Sequence, residues 1–138
     1  MVVAELFPAV AAELLAELND MDRAIELGNK GVELTERGGD VGMLGWSYVC
    51  LVRVLFSRGE MAGAEEIFQK MEKVGRELNV PPWVTNVLAA WQGRIWVAQG
   101  KLQAATQWVA ERGLEINGEP NWQQEREYMV LARLRLAQ

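Results

Sequence analysis

One six-residue turn pattern occurs three times along this chain, at intervals of 40 and 41 residues. Its copies are residues 19–24 (NDMDRA), 59–64 (GEMAGA) and 100–105 (GKLQAA). Each starts with Gly or Asn, which accept the left-handed backbone that often ends a helix, and each ends with an alanine. Because an amphipathic segment lies on both sides of every copy, we predict the tight turn of a helical hairpin, with close approach of its helices at the alanine. Such hairpins bury their apolar faces only by stacking on one another.

A second repeat, at an interval of 39 residues, marks where hairpins begin. Pro81 and Pro120 each stand two positions before a tryptophan, Trp83 and Trp122. Proline is favoured in the first turn of a helix, because the N–H that it lacks would have no partner there. We therefore expect a new helix after each proline, with its tryptophan packed where two repeats meet.

These signals predict an all-α chain of about seven helices. The predicted helices are residues 2–18, 21–37, 41–58, 61–78, 82–99, 102–112 and 122–138. They form one domain, residues 1–138, of antiparallel pairs at about 2–38, 40–79 and 82–117 and a half repeat at 122–138. Asp40 suits the N-cap of the third helix. Gly28 and Gly31 lie inside the second helix at a cost of about 1 kcal/mol each, so we expect a neighbouring helix to pack closely there.

The net charge, the absence of histidine and the single cysteine reduce the number of functions that this chain could have. The net charge is −5, which argues against nucleic-acid binding by this segment, because phosphate recognition needs a positive surface. The sequence has no histidine, the commonest general base and metal ligand, so we expect no catalytic residue, no metal site and no enzyme activity. The single cysteine, Cys50, excludes an internal disulfide, favours a reducing compartment and is expected to be buried in its apolar helix.

No targeting or membrane segment is evident in the sequence. Residues 1–8 carry an early acid and no basic region, unlike a signal peptide. The charge-free apolar stretch at 41–52 is too short to cross a bilayer. We expect a cytoplasmic protein that makes no membrane contact.

Six segments together carry a resemblance to a known family. They are residues 18–24 (LNDMDRA), 38–40 (GGD), 55–61 (LFSRGEM), 82–83 (PW), 94–102 (RIWVAQGKL) and 131–138 (LARLRLAQ). Their order resembles the tetratricopeptide-like helical-repeat region of the MalT-like group, the large ATP-binding LuxR-type transcriptional regulators. The resemblance implies a right-handed superhelix of helix pairs that binds an inducer or a protein partner and controls oligomerisation. It also implies that ATP and DNA bind only to other domains of such a regulator, so no cofactor is expected in this segment.

The end of the chain supports two further expectations. At Gln138 the repeat pattern calls for another turn, so we expect a fragment of a longer regulator; a free-standing adaptor that binds a peptide or protein is the alternative. An unpaired last helix would expose Tyr128, Leu131 and Leu134, so self-association through the half repeat is also expected.

Three arginines occupy equivalent positions in the first helices of successive repeats. Arg53 and Arg94 stand six residues before the turn glycine, and Arg133 holds the same place in the last helix, where Glu13 holds it in the first. Repeat geometry puts this position on the groove, where guanidinium groups would suit an anionic ligand. The alternative is that each arginine pairs with a glutamate on a neighbouring helix.

Trp46 falls on the same groove face. Its ring could stack on a sugar or an apolar side chain of a ligand, with ordinary packing as the alternative. Trp96 and Trp108 share helix faces with apolar residues and are predicted to lie in the core. The pair Glu125 and Glu127 is predicted to lie on a solvated helix face.

Overall fold

The computed structural model describes residues 2–38, 40–115 and 124–138, and this part of the chain contains helices and no strand. The helices are α1 (Val2–Glu17), α2 (Met21–Gly38), α3 (Val41–Arg58), α4 (Met61–Glu77), α5 (Pro82–Ala98), α6 (Leu102–Glu111) and α7 (Glu125–Ala137). The all-α prediction is confirmed, and the first six helices agree with it to within one residue at each end. Pro120, Trp122 and the predicted start of the last helix lie outside the described residues.

The three predicted turns share one backbone geometry. Asn19, Gly59 and Gly100 have φ of 63°, 82° and 73°, which is the left-handed region. The N–H of the residue after each of them donates to the carbonyl five positions earlier, at 2.8–2.9 Å. This is the Schellman pattern that satisfies the last carbonyls of a helix. The alanines that end the three turns, Ala24, Ala64 and Ala105, are fully buried, as the pattern predicts.

The chain divides into two compact units, of which unit 1 is Met1–Thr85. Here α1 and α2 form a hairpin, α3 packs against both, and α4 packs against α3. The predicted close approach at the glycines of α2 is confirmed. A Cβ on Gly31 would lie 2.7 Å from the backbone nitrogen of Ala9, and one on Gly28 would lie 2.9 Å from Leu51 Cδ1. The carboxylate of Asp40 caps α3, as predicted, by accepting the N–H of Met43 at 2.9 Å.

Helix α3 forms the centre of unit 1. Its buried residues include Tyr48, Leu51 and Val54, and the Tyr48 hydroxyl donates to Glu36 of α2 at 2.8 Å. By length and composition alone α3 could span a membrane, but more than half of it is buried inside the protein. Burial of this kind is typical of a core helix, so the length and apolar composition of α3 are weak evidence for a membrane span.

Unit 2 is Asn86–Gln138, and its core is one apolar cluster shared by α5, α6 and α7. Trp108 is buried in it and Trp96 packs against it, which confirms their predicted core positions. A Cβ on Gly93 of α5 would lie 2.9 Å from Val130 of α7. As at Gly31 in unit 1, α5 and α7 can approach this closely because the residue at the contact is glycine.

Two predictions about α7 are wrong. Leu131 and Leu134 are 4% and 1% exposed, and Tyr128 is partly buried, because this face of α7 packs into the cluster of unit 2. The large exposed apolar residues of α7 are Met129 and Leu136 instead. Glu127, predicted to be solvated, is also buried, because it forms an ion pair with Arg112 at the end of α6.

Candidate functional site

The strongest candidate for a binding surface in unit 1 begins with a notch in α3. Gly42 and Gly45 stand three residues apart in this helix and therefore lie on one side of it. A Cβ on Gly45 would lie 2.2 Å from Val84 Cγ1, and one on Gly42 would lie 3.5 Å from Trp83 Cζ2. Because Gly45 has no side chain, Val84 at the start of α5 docks directly against α3, and the Trp83 ring lies over Gly42, where a Cβ would be in ordinary contact with it.

The proline-initiated turn of α5 holds Trp83 in this position. Pro82 is the first residue of the helix, where its fixed φ is already helical. The N–H of Val84 donates to the carbonyl of Pro81 at 3.0 Å, which closes the first turn. Val84 is fully buried and anchors this turn, so the neighbouring Trp83 has little freedom to move away from α3.

Trp83 and Trp46 form an aromatic corner, by which we mean these two rings and the backbone of Gly42. The ring centroids are 6.0 Å apart and the planes are tilted by 51°. Trp46 is half-buried, whereas 48% of Trp83 is exposed. The corner joins the first helices of the second and third predicted repeats, and it presents indole surface to solvent.

A carboxylate lies beside the aromatic corner. Asp40 Oδ1 is 3.2 Å from the point where a Cβ on Gly42 would stand, and the Trp83 ring is 3.5 Å from the same point. The N-cap hydrogen bond to Met43 fixes this carboxylate at the first turn of α3. The corner therefore combines two apolar rings with one negative charge.

Arg53, the first member of the predicted arginine ladder, is already paired. Its Nη1 donates to Oε2 of Glu13 at 2.9 Å, which links α3 to α1. The Arg53 side chain is 42% exposed and that of Glu13 is 19% exposed. This geometry is the one expected if the arginine serves structure and not ligand binding.

Cys50 lies one turn before Arg53 and is fully buried, as predicted. Burial raises the pKa of its thiol, and a hydrogen bond to Glu13 and the charge of that carboxylate raise it further. The thiolate is the nucleophilic form of cysteine. Cys50 is therefore held in its unreactive state beside the Arg53–Glu13 pair.

The other two arginines of the predicted ladder lie in unit 2. The guanidinium of Arg94 stands 4.7 Å from the centre of the Trp91 ring. Arg133 makes a long hydrogen bond of 3.4 Å to the carbonyl of Met129 in its own helix. Because Arg53 belongs to unit 1, the ladder as a continuous strip stays a prediction.

Sequence reasoning missed two groups of residues. One is the notch of Gly42 and Gly45, which a Gly-x-x-Gly spacing inside an apolar helix could have signalled. The other is Arg112, which donates to Asn86 Oδ1 at 2.9 Å, pairs with Glu127 and lies 5.9 Å from the centre of the Trp108 ring. The spacing of four residues between Trp108 and Arg112 could have signalled that contact, but no spacing connects Arg112 with Asn86 or Glu127, because those two residues come from other helices.

Helical hairpins that recur about every 40 residues, each with a left-handed turn between its two helices, define a helical-repeat protein of the tetratricopeptide class. Domains of this class typically bind other molecules and do not catalyse reactions. Among known families, the one described as the MalT-like TPR region matches residues 2–138, and the chain belongs to this family. No match was found among curated proteins or among solved structures.

Proposed function

We propose that this chain is the sensing segment of a LuxR-type transcriptional regulator, and that it binds an inducer or a protein partner on the surface of its first helices. Membership of the MalT-like family supports the regulatory role. The observation that carries the binding role is the aromatic corner, where 48% of Trp83 is exposed although its backbone is anchored against α3. Large exposed indole surface in a fixed position is typical of binding surfaces.

The energy available at this corner is sufficient for a specific interaction. A tryptophan side chain presents roughly 200 Å², and covering about half of it at ~25 cal/mol per Å² contributes about 2–3 kcal/mol. No ordering of Trp83 is needed on binding, because the notch of Gly42 and Gly45 already holds it. The bound state would then bias oligomerisation and the DNA binding of a separate domain of the same regulator, with ATP bound by another.

The arginines take second place in this proposal. Glu13 already neutralises Arg53, so an anionic ligand would have to displace that carboxylate first. Arg94 and Arg133 stay candidate contacts for an anionic group, and Trp46 stays the ring that a ligand would meet together with Trp83.

The test is transcription from a reporter promoter by the intact regulator that contains this segment. We expect Trp46→Ala and Trp83→Ala each to lower the inducer or partner response at least tenfold, which corresponds to about 1.4 kcal/mol of lost binding free energy. Leu78→Ala is the matched control, because Leu78 is exposed to 49%, almost as much as Trp83, but lies at the end of α4.

Two outcomes would contradict the proposal. An unchanged response in both tryptophan variants, with the fold intact by circular dichroism, would remove the corner from sensing. Partner binding that persists while no promoter responds would identify the chain as an adaptor and not as a sensor.

A further inference from the structure

Two other tryptophans of this chain show how it covers an indole ring. The guanidinium of Arg94 stands 4.7 Å from the centre of the Trp91 ring, and that of Arg112 stands 5.9 Å from the centre of the Trp108 ring. These distances are within the range of a cation–π interaction, for which tryptophan is the best aromatic partner. In unit 2, an arginine from within the chain therefore occupies a position over each of these rings.

The aromatic corner of unit 1 differs from these two sites. Its ring contact is between its own tryptophans, Trp46 and Trp83. In the described part of the chain no cation stands over either ring. The corner therefore offers indole rings of the kind that arginines cover in unit 2, but no arginine of the described residues covers them.

The charge next to the corner is the complement of a cation. The Asp40 carboxylate and the Trp83 ring lie within 3.5 Å of one point above Gly42. The positive end of the α3 dipole, equivalent to roughly half a charge, also lies here, but the full charge of Asp40 exceeds it and already caps it. The net charge of −5 adds a general attraction for a positive partner.

We propose that the aromatic corner binds an arginine side chain of a protein partner, with the guanidinium stacked on Trp83 and hydrogen-bonded to Asp40. A guanidinium fits both features, because its plane stacks on an indole while its edge donates two parallel hydrogen bonds to a carboxylate. This inference names the partner chemistry for the surface proposed above and rests on that surface being a binding surface.

The experiment uses two short probes and the whole chain. The acetylated, amidated tripeptide Gly-Arg-Gly is titrated into the ¹⁵N-labelled protein, and the indole N–H signals of Trp46 and Trp83 are followed. The matched probe replaces arginine by citrulline, which is planar and of the same shape but uncharged. We expect saturable shifts of both indole signals with millimolar affinity, and about five- to tenfold weaker binding of the citrulline probe.

Two variants separate the two halves of the site. Asp40→Asn keeps an N-cap residue of equal quality, so the fold is retained, but it removes the charge, and we expect several-fold weaker binding of the arginine probe. Trp83→Phe keeps an apolar ring but weakens the cation–π interaction, with a similar expected loss. The Trp91 signal serves as the reference within the same spectrum.

Equal affinity for both probes, or saturable binding of glucose without binding of the arginine probe, would overturn the cationic partner. Binding of the arginine probe that Asp40→Asn leaves unchanged would also overturn it. If the arginine probe binds as expected but the reporter response survives in both Trp46→Ala and Trp83→Ala, the cation site stands and the sensing role fails, so the two proposals are tested separately.

Discussion

Unit 1 and unit 2 bring their helices together in different ways. In unit 1, α2 reaches α1 at Gly31, where any side chain would meet the backbone of Ala9, and α5 reaches α3 at the notch of Gly42 and Gly45. In unit 2, α7 is joined to the end of α6 by the buried Glu127 carboxylate and Arg112. Unit 2 also has a close helix approach at a glycine, Gly93, but it differs from unit 1 in that it depends on a buried ion pair as well.

This difference predicts which substitutions each unit tolerates. Added volume at a helix contact forces the backbones apart, whereas removal of one partner from a buried ion pair leaves a charge without compensation. We therefore expect substitutions in the two units to change the free energy of unfolding by different amounts.

Glu127→Ala should have the largest effect. It leaves Arg112 with Asn86 and Trp108 but without its carboxylate, and we expect a loss of about 2–4 kcal/mol in the free energy of unfolding, because the Arg112 side chain is still 31% exposed and reaches water. Urea denaturation measures the loss, and hydrogen exchange should localise it to α6 and α7. Glu125→Ala, at an exposed position of the same turn, is the control; an equal effect of both variants would show that burial of the pair is irrelevant.

Gly31→Ala should destabilise unit 1 by about 2 kcal/mol. The new Cβ would stand 2.7 Å from the Ala9 backbone nitrogen, and this overlap outweighs the roughly 1 kcal/mol that alanine gains over glycine in a helix. Gly75→Ala in α4 has open space, with its nearest atom at 4.0 Å, so it should stabilise the protein by about 0.5–1 kcal/mol. The melting temperature should fall in Gly31→Ala and rise in Gly75→Ala. A higher melting temperature in Gly31→Ala would show that the overlap with Ala9 does not limit the packing of α1 and α2.

Alkaline pH should weaken unit 1 through Cys50. Burial raises the pKa of this thiol in the folded chain, whereas the unfolded chain ionises it near its ordinary value of about 8.5. The unfolded state therefore loses its proton first, and stability is lost as pH rises above that value. We expect the free energy of unfolding to fall by about 1 kcal/mol more between pH 7 and 9.5 in the parent than in Cys50→Ala. Parallel pH profiles of the two proteins would contradict this.

Arg53→Ala should have the smallest effect. Its pair with Glu13 is partly exposed on both sides, so we expect a loss of about 0.5 kcal/mol, which decreases further in high salt. The comparison with Glu127→Ala sharpens the contrast between an exposed and a buried pair of the same residue types. A loss above about 2 kcal/mol would mean that Glu13 cannot be left alone beside Cys50.

Most of the local structure could be predicted because its causes lie close together along the chain. A left-handed residue followed by a polar and an apolar one specifies a helix end, and Asn19, Gly59 and Gly100 confirm this. Asp40 caps α3 through a hydrogen bond to Met43, which is only three residues away in the sequence. The buried alanines followed from the same repeat.

The wrong predictions concern residues whose surroundings come from elsewhere in the chain. Leu131 and Leu134 were expected to be exposed because the last helix has no following partner, but α5 and α6 cover them from the other side. Glu127 was expected to be solvated, because nothing in its own segment shows that Arg112 meets it. Helical periodicity identifies an apolar face but not which neighbour covers it.

The helical hairpins and the left-handed turns at Asn19, Gly59 and Gly100 follow from the sequence alone, since each turn depends on a few adjacent residues. The packing of Trp83 on Gly42 beside Trp46, and the pairing of Arg53 with Glu13 across a spacing of 40 residues, became visible only when the helices were placed against one another. The physical reason is that these contacts depend on how closely two backbones approach. That distance is set by side chains, present or missing, on helices far apart in the sequence.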